Sequence, residues 1–184
     1  MKIILLRHAT RKRGDREEEE YLEKRFLLDS TGEEEARKQG QELARRGIKP
    51  AVYFTSCFAH AKQTGEILRD TVGGYPLAKV VELCTLTPHY QGPRKWQGNW
   101  QGIQILEAII RESELTGNDL RKLDAVAFIL HQPRLTQLLA SMTSQGESRF
   151  VDLGYSEGVC LNADLLDAFL QGKGKEDGLS LCRQ

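Results

Sequence analysis

Short apolar runs alternate with longer amphipathic segments along the 184-residue chain. The runs at residues 3–6, 51–55 and 79–83 contain β-branched residues and are bounded by polar ones, which predicts β-strands. The run AVAFIL at Ala125–Leu130 is apolar at every position, which is typical of a strand covered on both faces in a parallel sheet. A further strand, at an edge of the sheet, is predicted at Gly158–Asn162.

The segments between these strands carry helical periodicity. Strong helix formers and early acidic residues predict a helix at 31–46 that Gly47 ends, and apolar residues at helical spacing predict a second helix within 56–70. Further helices are predicted at 105–114, 118–122, 133–143 and 163–170. Strands alternating with helices predict an α/β fold, in which ligands bind beyond the carboxyl ends of the strands.

Two segments break this pattern. Residues 85–104 are rich in Gly, Pro, Trp and Gln, so they are predicted to form a lid or pocket wall within a substrate-pocket insertion at 83–124. The tail at 173–184 is predicted to be frayed. The length suits one domain over residues 1–184.

Charge and cysteine content narrow the class of protein. Lys plus Arg and Asp plus Glu both number 26, so no global field gathers nucleic acid or an anionic membrane, and any anion site is local. The four cysteines are scattered without a Cys-x-x-Cys pair, which predicts reduced thiols and no metal cluster. No apolar stretch is long enough to span a membrane. We therefore expect a cytoplasmic protein.

Candidate chemistry follows the predicted strands. Arg7 and His8 come just after the first strand, Ser56 after the second, Glu82 near the end of the third and His131 after the fourth. A neutral imidazole can attack phosphorus without first losing a proton, and an arginine offers a planar fork for phosphate oxygens. A second histidine can stabilise the transferring group by a hydrogen bond. This pattern predicts phosphoryl transfer with no metal and no cofactor.

Five motifs resemble those of one family. LLRHATR resembles the Arg-His-Gly signature of the histidine phosphatase superfamily, the phosphoglycerate mutase-like proteins, with Ala9 where glycine is usual. LDSTGEEEARKQGQEL is similar to its Leu-Thr-x-x-Gly-x-x-Gln-Ala segment, and TSCFAHAKQTGEIL to its Ser-Pro-x-x-Arg-Ala-x-Gln-Thr segment. FILHQPRL and SEGVCLN resemble the segments of the second histidine and the closing strand. The ordered matches run over residues 2–162.

The resemblance implies a fold and a set of roles. The fold would be a three-layer α/β/α arrangement with a mostly parallel central sheet, as in phosphoglycerate mutase. His8 would be the nucleophile that becomes phosphorylated, Arg7 a phosphate ligand, and His131 a second ligand that stabilises the transition state. Glu82 would donate a proton to the leaving oxygen, although a plain surface carboxylate is an equally good interpretation of its position.

His60 is the main departure from the family pattern, because it stands where the family has a second phosphate-binding arginine. An imidazole gives at most one bond to a phosphate and is not always charged, so the predicted binding set of Arg7, Ser56 and His60 is short of positive charge compared with the family's two arginines. We therefore expect activity reduced by about tenfold to about a hundredfold. The candidate cations to replace that charge are Arg11, Lys62, Arg94 and Arg134.

The sequence thus predicts a metal-independent phosphatase with a phosphohistidine intermediate. Its partner would be a phosphorylated small molecule or a phosphoprotein, with either a phosphomonoester or a protein phosphohistidine as substrate. The alternative is a weakened phosphate-binding or regulatory protein on the same fold, which the substitutions at Ala9 and His60 favour. A phosphosugar mutase is less favoured, because the short insertion suits an open site and a mutase needs a closed pocket. The oligomeric state stays open.

Overall fold

The computed structural model describes residues 1–14, 25–74, 78–83, 86–87, 102–117, 120–132, 135, 154–162 and 180–182. Six strands and three α-helices are present in these residues, with one 3₁₀ turn at Leu120–Lys122. The strands are β1 (Lys2–Arg7), β2 (Val52–Thr55), β3 (Lys79–Glu82), β4 (Ala125–Leu130), β5 (Gly158–Asn162) and β6 (Ser180–Cys182). The helices are α1 (Ser30–Arg45), α2 (Ala59–Val72) and α3 (Gly102–Leu115).

The strands form one sheet in the order β3-β2-β4-β1-β5-β6. The first four in that order are parallel, whereas β5 pairs antiparallel with both β1 and β6. The predicted mostly parallel α/β sheet is therefore confirmed. Because parallel strands end at the same edge, the residues that follow β1, β2, β3 and β4 all lie along one side of the sheet.

Two predictions about the C-terminal part were wrong. The strand β5 is not at an edge, because β6 pairs with it on the side away from β1. The tail that we expected to be frayed contains β6, and backbone pairing of Gly158 with Cys182 holds this short strand in place. A three-residue strand has too little local signal to be recognised without the partner that stabilises it.

Helices cover both faces of the sheet. Alternate residues of β1 and β4 point to opposite sides, which produces two separate cores. One core contains Ile3, Leu5, Val126 and Phe128 with Ile109 of α3. The other contains Ile4, Leu6, Ala127 and Ile129 with Leu43 of α1 and Leu68 of α2. The three-layer α/β/α arrangement is therefore confirmed.

The start of α1 lies against the loop that follows β1. Asp29 caps the helix by accepting a hydrogen bond from the Gly32 amide at 2.8 Å, and the helix begins one residue before the predicted 31–46 range. A Cβ atom at Gly32 would lie 1.9 Å from the carbonyl oxygen of Thr10. Glycine is required here because the helix touches the backbone two residues after His8.

Several predicted features lie outside the described residues or remain untested. The helices at 133–143 and 163–170 and most of the pocket wall at 85–104 are in the former group. The division of the chain into one domain with an insertion at 83–124 stays a prediction, although α3 lies within that range. No helix in the described part of the chain has both the length and the apolar character to cross a bilayer.

Candidate active site

Three histidines from distant parts of the chain meet at the shared edge of the parallel strands. His8 follows β1, His131 follows β4, and His60 lies in the first turn of α2. The ring centres are 4.4 Å apart for His8 and His60, 4.6 Å for His8 and His131, and 5.2 Å for His60 and His131. All three side chains are buried. We call His8, His60 and His131 the histidine triangle.

Backbone and side-chain hydrogen bonds orient the His8 ring. Its amide donates to the carbonyl of Leu130 at 3.0 Å, and its own carbonyl accepts from the amide of Ser156 at 3.4 Å. The ring Nδ1 lies 2.8 Å from the carbonyl oxygen of Ala9. A carbonyl only accepts, so Nδ1 must carry the proton, and the neutral ring then holds its lone pair on Nε2.

His131 is held by the residue that follows β2. Its Nε2 lies 2.6 Å from the hydroxyl oxygen of Ser56, and both side chains are buried. The Ser56 oxygen also accepts from the Phe58 amide at 3.3 Å. The Phe58 ring packs edge-on against His131, with ring centres 4.9 Å apart. Ser56 therefore fixes the orientation of the His131 ring relative to the start of α2.

His60 is buried completely and bonds away from the other two rings. Its Nδ1 lies 3.2 Å from the carbonyl oxygen of Phe26, which again requires a proton on Nδ1 and a lone pair on Nε2. That Nε2 has no hydrogen-bond partner among the described residues. Thr64 ties this turn to the His8 loop, because its hydroxyl donates to the His60 carbonyl at 2.7 Å and accepts from the Ala9 amide at 3.2 Å.

Burial keeps the first two histidines neutral. The pKa of His8 is lowered from 6.5 to about 3, chiefly by loss of solvation and then by the nearby His60, Arg7 and Arg11, while the hydrogen bond to Ala9 opposes the shift. The pKa of His60 is lowered from 6.5 to about 4, chiefly by loss of solvation, with the Phe26 carbonyl opposing the shift and Arg11 contributing to it. At neutral pH both rings therefore offer a lone pair.

Two arginines are close to the histidine triangle. The Arg7 guanidinium lies over the ring of Tyr155, 3.9 Å from its centre, and the Tyr155 ring is in turn 5.6 Å from that of His8. Arg11 lies over the Phe26 ring at 5.4 Å, and its charge acts on both His8 and His60. Of the two suggested replacement cations that lie in the described residues, Arg11 and Lys62, Arg11 is therefore the one close to the histidine triangle.

Lys62, the other described cation of the four, and Glu82 are less closely connected to the triangle. The Lys62 ammonium pairs with the Glu82 carboxylate at 2.9 Å, and both side chains are about half exposed. Glu82 ends β3 at the same sheet edge, but none of the contacts found in the described residues joins it to a histidine. Arg94 and Arg134 lie outside the described residues.

Ala9, the residue that replaces the family glycine, is accommodated without an outlying backbone. Its methyl group is fully buried with Leu28 and Ala36 in a small cluster of its own. Ala9 is absent from the residues with positive φ among those described. The substitution therefore adds a packing contact beside His8 and does not distort the loop.

Sequence reasoning missed the residues that orient the rings from outside. Phe26 contributes only a backbone carbonyl, which leaves no mark on residue type. Tyr155 and Ser156 precede β5, and Ser156 adopts a positive φ of 57°. Ser156 was part of the closing-strand motif, and a role beside His8 could have been suspected from the antiparallel pairing of β5 with β1.

Comparisons with solved structures identify the same architecture elsewhere. A protein histidine phosphatase SixA complexed with tungstate has a TM-score of 0.63 at 18% identity, over 88% of each chain. A SixA described as a putative phosphohistidine phosphatase from Agrobacterium tumefaciens has a TM-score of 0.64 at 16% identity, over 99% of this chain and 95% of that one.

A third similar structure is an ecdysone phosphate phosphatase from Bombix mori, with a TM-score of 0.57 at 13% identity over 88% of each chain. No protein-family model and no curated protein matches the sequence. The structural likeness confirms the resemblance drawn from the motifs at the level of architecture. The chain has the fold of the histidine phosphatase superfamily.

Proposed function

We propose that this protein is a phosphatase that forms a phosphohistidine intermediate on His8. The observation that carries the proposal is the position of two imidazoles, His8 and His131. Their ring centres are 4.6 Å apart at the edge of the sheet where four parallel strands end. Ligands of open α/β sheets bind at this edge. The phosphatase names of three proteins with the same fold support the reaction class.

Each side chain has a part in the proposed reaction. The Nε2 lone pair of His8 attacks phosphorus, the P–O bond to the leaving group breaks, and a P–N bond forms. Arg7 binds the phosphoryl oxygens, while His131, oriented by Ser56, stabilises the charge that spreads over them. Water then attacks the phosphohistidine, and inorganic phosphate leaves. Glu82 is our candidate for the proton that the leaving oxygen needs, since it ends a strand at the same edge.

His60 is proposed to weaken this site. It contributes a buried, neutral ring to the histidine triangle, and its pKa of about 4 gives no positive charge near neutral pH. Arg11 offsets part of the missing charge, because its field reaches both His8 and His60. This observation also favours our second candidate function, a phosphate-binding or regulatory protein with little turnover.

The substrate is proposed to be a phosphomonoester or a phosphohistidine in a protein. One protein with this fold is a protein histidine phosphatase that binds tungstate, a tetrahedral oxyanion like phosphate. Another is named for ecdysone phosphate. The two names bracket the range of phosphorylated partners that a test should cover.

Hydrolysis of an aryl phosphate, followed for the protein and for His8→Ala side by side, tests the proposal. We expect His8→Ala to lower the rate by on the order of 10³-fold or more, because it removes the atom that accepts the phosphoryl group. Acid-labile and alkali-stable incorporation of ³²P into the protein, absent from His8→Ala, would identify the intermediate.

A matched substitution separates loss of the nucleophile from loss of structure. Cys57→Ser changes an exposed side chain of similar size one residue after Ser56, so it should keep the parental rate. Equal rates for the protein and His8→Ala would rule out the phosphatase. Tight phosphate or tungstate binding without turnover would then identify the second candidate function.

A further inference from the structure

The histidine triangle has a property that phosphoryl transfer does not require. One nitrogen from each of His8, His60 and His131 lies within 4.8 Å of the other two, and all three side chains are buried. Three imidazoles around one open position are a known ligand set of a zinc ion that keeps its fourth site for water or an anion. Phosphoryl transfer to histidine uses one nucleophile and cationic ligands, and needs no third neutral ring.

The outer hydrogen bonds of the three rings fit a metal site. A histidine that binds a metal normally donates its other ring N–H to a carbonyl, a carboxylate or a hydroxyl, which fixes the tautomer. His8 donates to Ala9 at 2.8 Å, His60 donates to Phe26 at 3.2 Å, and His131 contacts the Ser56 hydroxyl at 2.6 Å. When the His131 N–H donates to Ser56, each of the three rings has an outer partner on one of its nitrogens.

The buried Nε2 of His60 is a second sign of a ligand. It has no hydrogen-bond partner among the described residues, although the side chain is wholly buried. Leaving a buried polar atom unpaired is costly, and a metal–nitrogen bond would satisfy it.

We propose that His8, His60 and His131 bind one divalent transition-metal ion of the zinc type, and that this ion and a phosphoryl group compete for Nε2 of His8. Only the second half, the competition, rests on the proposed function. Nitrogens around a tetrahedral zinc ion are about 3.3 Å apart, so the rings would close by about 1.5 Å at most. Nearby Arg7 and Arg11 oppose a cation, which suits an anion as the fourth ligand.

Titration of chelator-treated protein with Co²⁺ tests binding directly, because four-coordinate Co²⁺ absorbs visibly and replaces zinc. We expect one equivalent to saturate the absorption and Mg²⁺ to produce no change, since Mg²⁺ prefers oxygen ligands. His60→Gln should weaken binding by at least about tenfold, because it removes a metal ligand while its amide can still donate to Phe26. His60→Arg should weaken it similarly.

Controls exclude other binding sites and misfolding. Cys57→Ser removes an exposed thiol, which could itself bind a transition metal. This variant should bind Co²⁺ as the parental protein does. X-ray absorption at the cobalt edge of the parental protein should show three imidazole ligands, a measurement that needs no variant. Absence of saturable binding, unchanged binding in His60→Gln, loss in Cys57→Ser, or fewer than three imidazoles would each overturn the site.

Competition is measured on the same samples. Hydrolysis of an aryl phosphate should fall in proportion to Co²⁺ bound, return on addition of a chelator, and be insensitive to the same Co²⁺ in His60→Arg. Full activity at saturating Co²⁺ would overturn the competition. If the parental protein hydrolyses nothing, the phosphatase proposal fails while the Co²⁺ absorption still decides the metal site, so the two failures are distinguishable.

Discussion

The single hydroxyl group of Ser56 contacts two neighbours, His131 and Phe58. It thereby couples the end of β2 to the residue that follows β4. Its oxygen lies 2.6 Å from Nε2 of His131 and accepts from the amide of Phe58 at 3.3 Å. Because a hydroxyl both donates and accepts, this contact allows either tautomer of His131. The same ring can therefore donate to a phosphoryl oxygen or present a lone pair, which is the property that distinguishes it from His8.

Position 60 decides between the two chemistries considered for the triangle. An arginine there would restore a charged, forked donor for phosphate, so we expect His60→Arg to raise turnover by about tenfold to about a hundredfold. Steady-state kinetics with an aryl phosphate measure the gain. His60→Gln is the matched control without the charge and should show none. A gain of the same size in both variants would mean that removal of the imidazole matters rather than the guanidinium.

The helices α1 and α2 hold the loop that carries His8 in position. The loop that carries His8 is compressed between α1 and α2: Thr10 bonds through its amide and hydroxyl to the Glu35 carboxylate at 2.9 and 3.0 Å, and Ala9 bonds to Thr64. The Gln63 side chain accepts from Leu28 at 2.8 Å. The segment around residue 26, whose carbonyl holds His60, is thus tied to both helices.

Gly32 is the narrowest point of this contact. In Gly32→Ala the new methyl group would meet the Thr10 carbonyl, a backbone atom that cannot rotate away, so the start of α1 must withdraw from the His8 loop. We expect the free energy of unfolding to fall by about 1–3 kcal/mol. Urea unfolding measures this change.

Glu34→Ala is the control for that substitution, because it alters an exposed residue of the same turn and should stay within about 0.5 kcal/mol. Unfolding curves that coincide for Gly32→Ala and the parental protein would refute the packing argument.

The bounds of strands and helices were predicted most accurately where the local sequence pattern was strongest. The fully apolar run gave β4 its observed bounds, Ala125–Leu130, and the helix formers with early acidic residues located α1 to within a residue at each end. The start of α2 has Phe58 at the capping position with no side-chain bond, so only its interior was predictable. The strand β6 depends on pairing with β5, a tertiary interaction that no local pattern contains.

Within the site, residue type predicted the histidines and Ser56, but not the partners that reach the rings from outside the parallel strands. His8, His131 and Ser56 each follow a strand of the parallel sheet, so their meeting followed from topology. The Phe26 carbonyl and the Tyr155 ring reach the site from segments with no regular structure. A backbone oxygen has the same chemistry at every residue, and the sequence therefore contains no sign of it.

Acid should destabilise the whole molecule through its buried imidazoles. Unfolding returns His8 and His60 to their ordinary pKa of 6.5, whereas in the fold the values are about 3 and about 4. Between pH 6.5 and about 4 the unfolded chain takes up protons that the folded chain does not, so the free energy of unfolding decreases as pH falls. Each histidine contributes at most about 1.4 kcal/mol per pH unit.

Chemical denaturation at several pH values, with chelator present, measures that slope. Carboxylates also respond to acid, so the informative quantity is the difference between the protein and His60→Gln. In His60→Gln the free energy of unfolding should change less steeply with pH, by about the contribution of one histidine. Arg7, Arg11 and His60 all lower the pKa of His8, so removing His60 also removes its share of the lowering at His8. Identical slopes would mean that His60 is protonated in the fold.

The position of β4 between β1 and β2 has a consequence for refolding. In the sheet, β1, which precedes His8, and β2, which precedes His60, lie on opposite sides of β4, and His131 follows the end of β4. The three imidazoles can therefore meet only after β4 has paired with both β1 and β2. A spectroscopic signal that requires all three rings would therefore report when pairing in the central sheet is complete. We expect it to lag behind helix formation and to arrive together with protection of the β4 amides from hydrogen exchange.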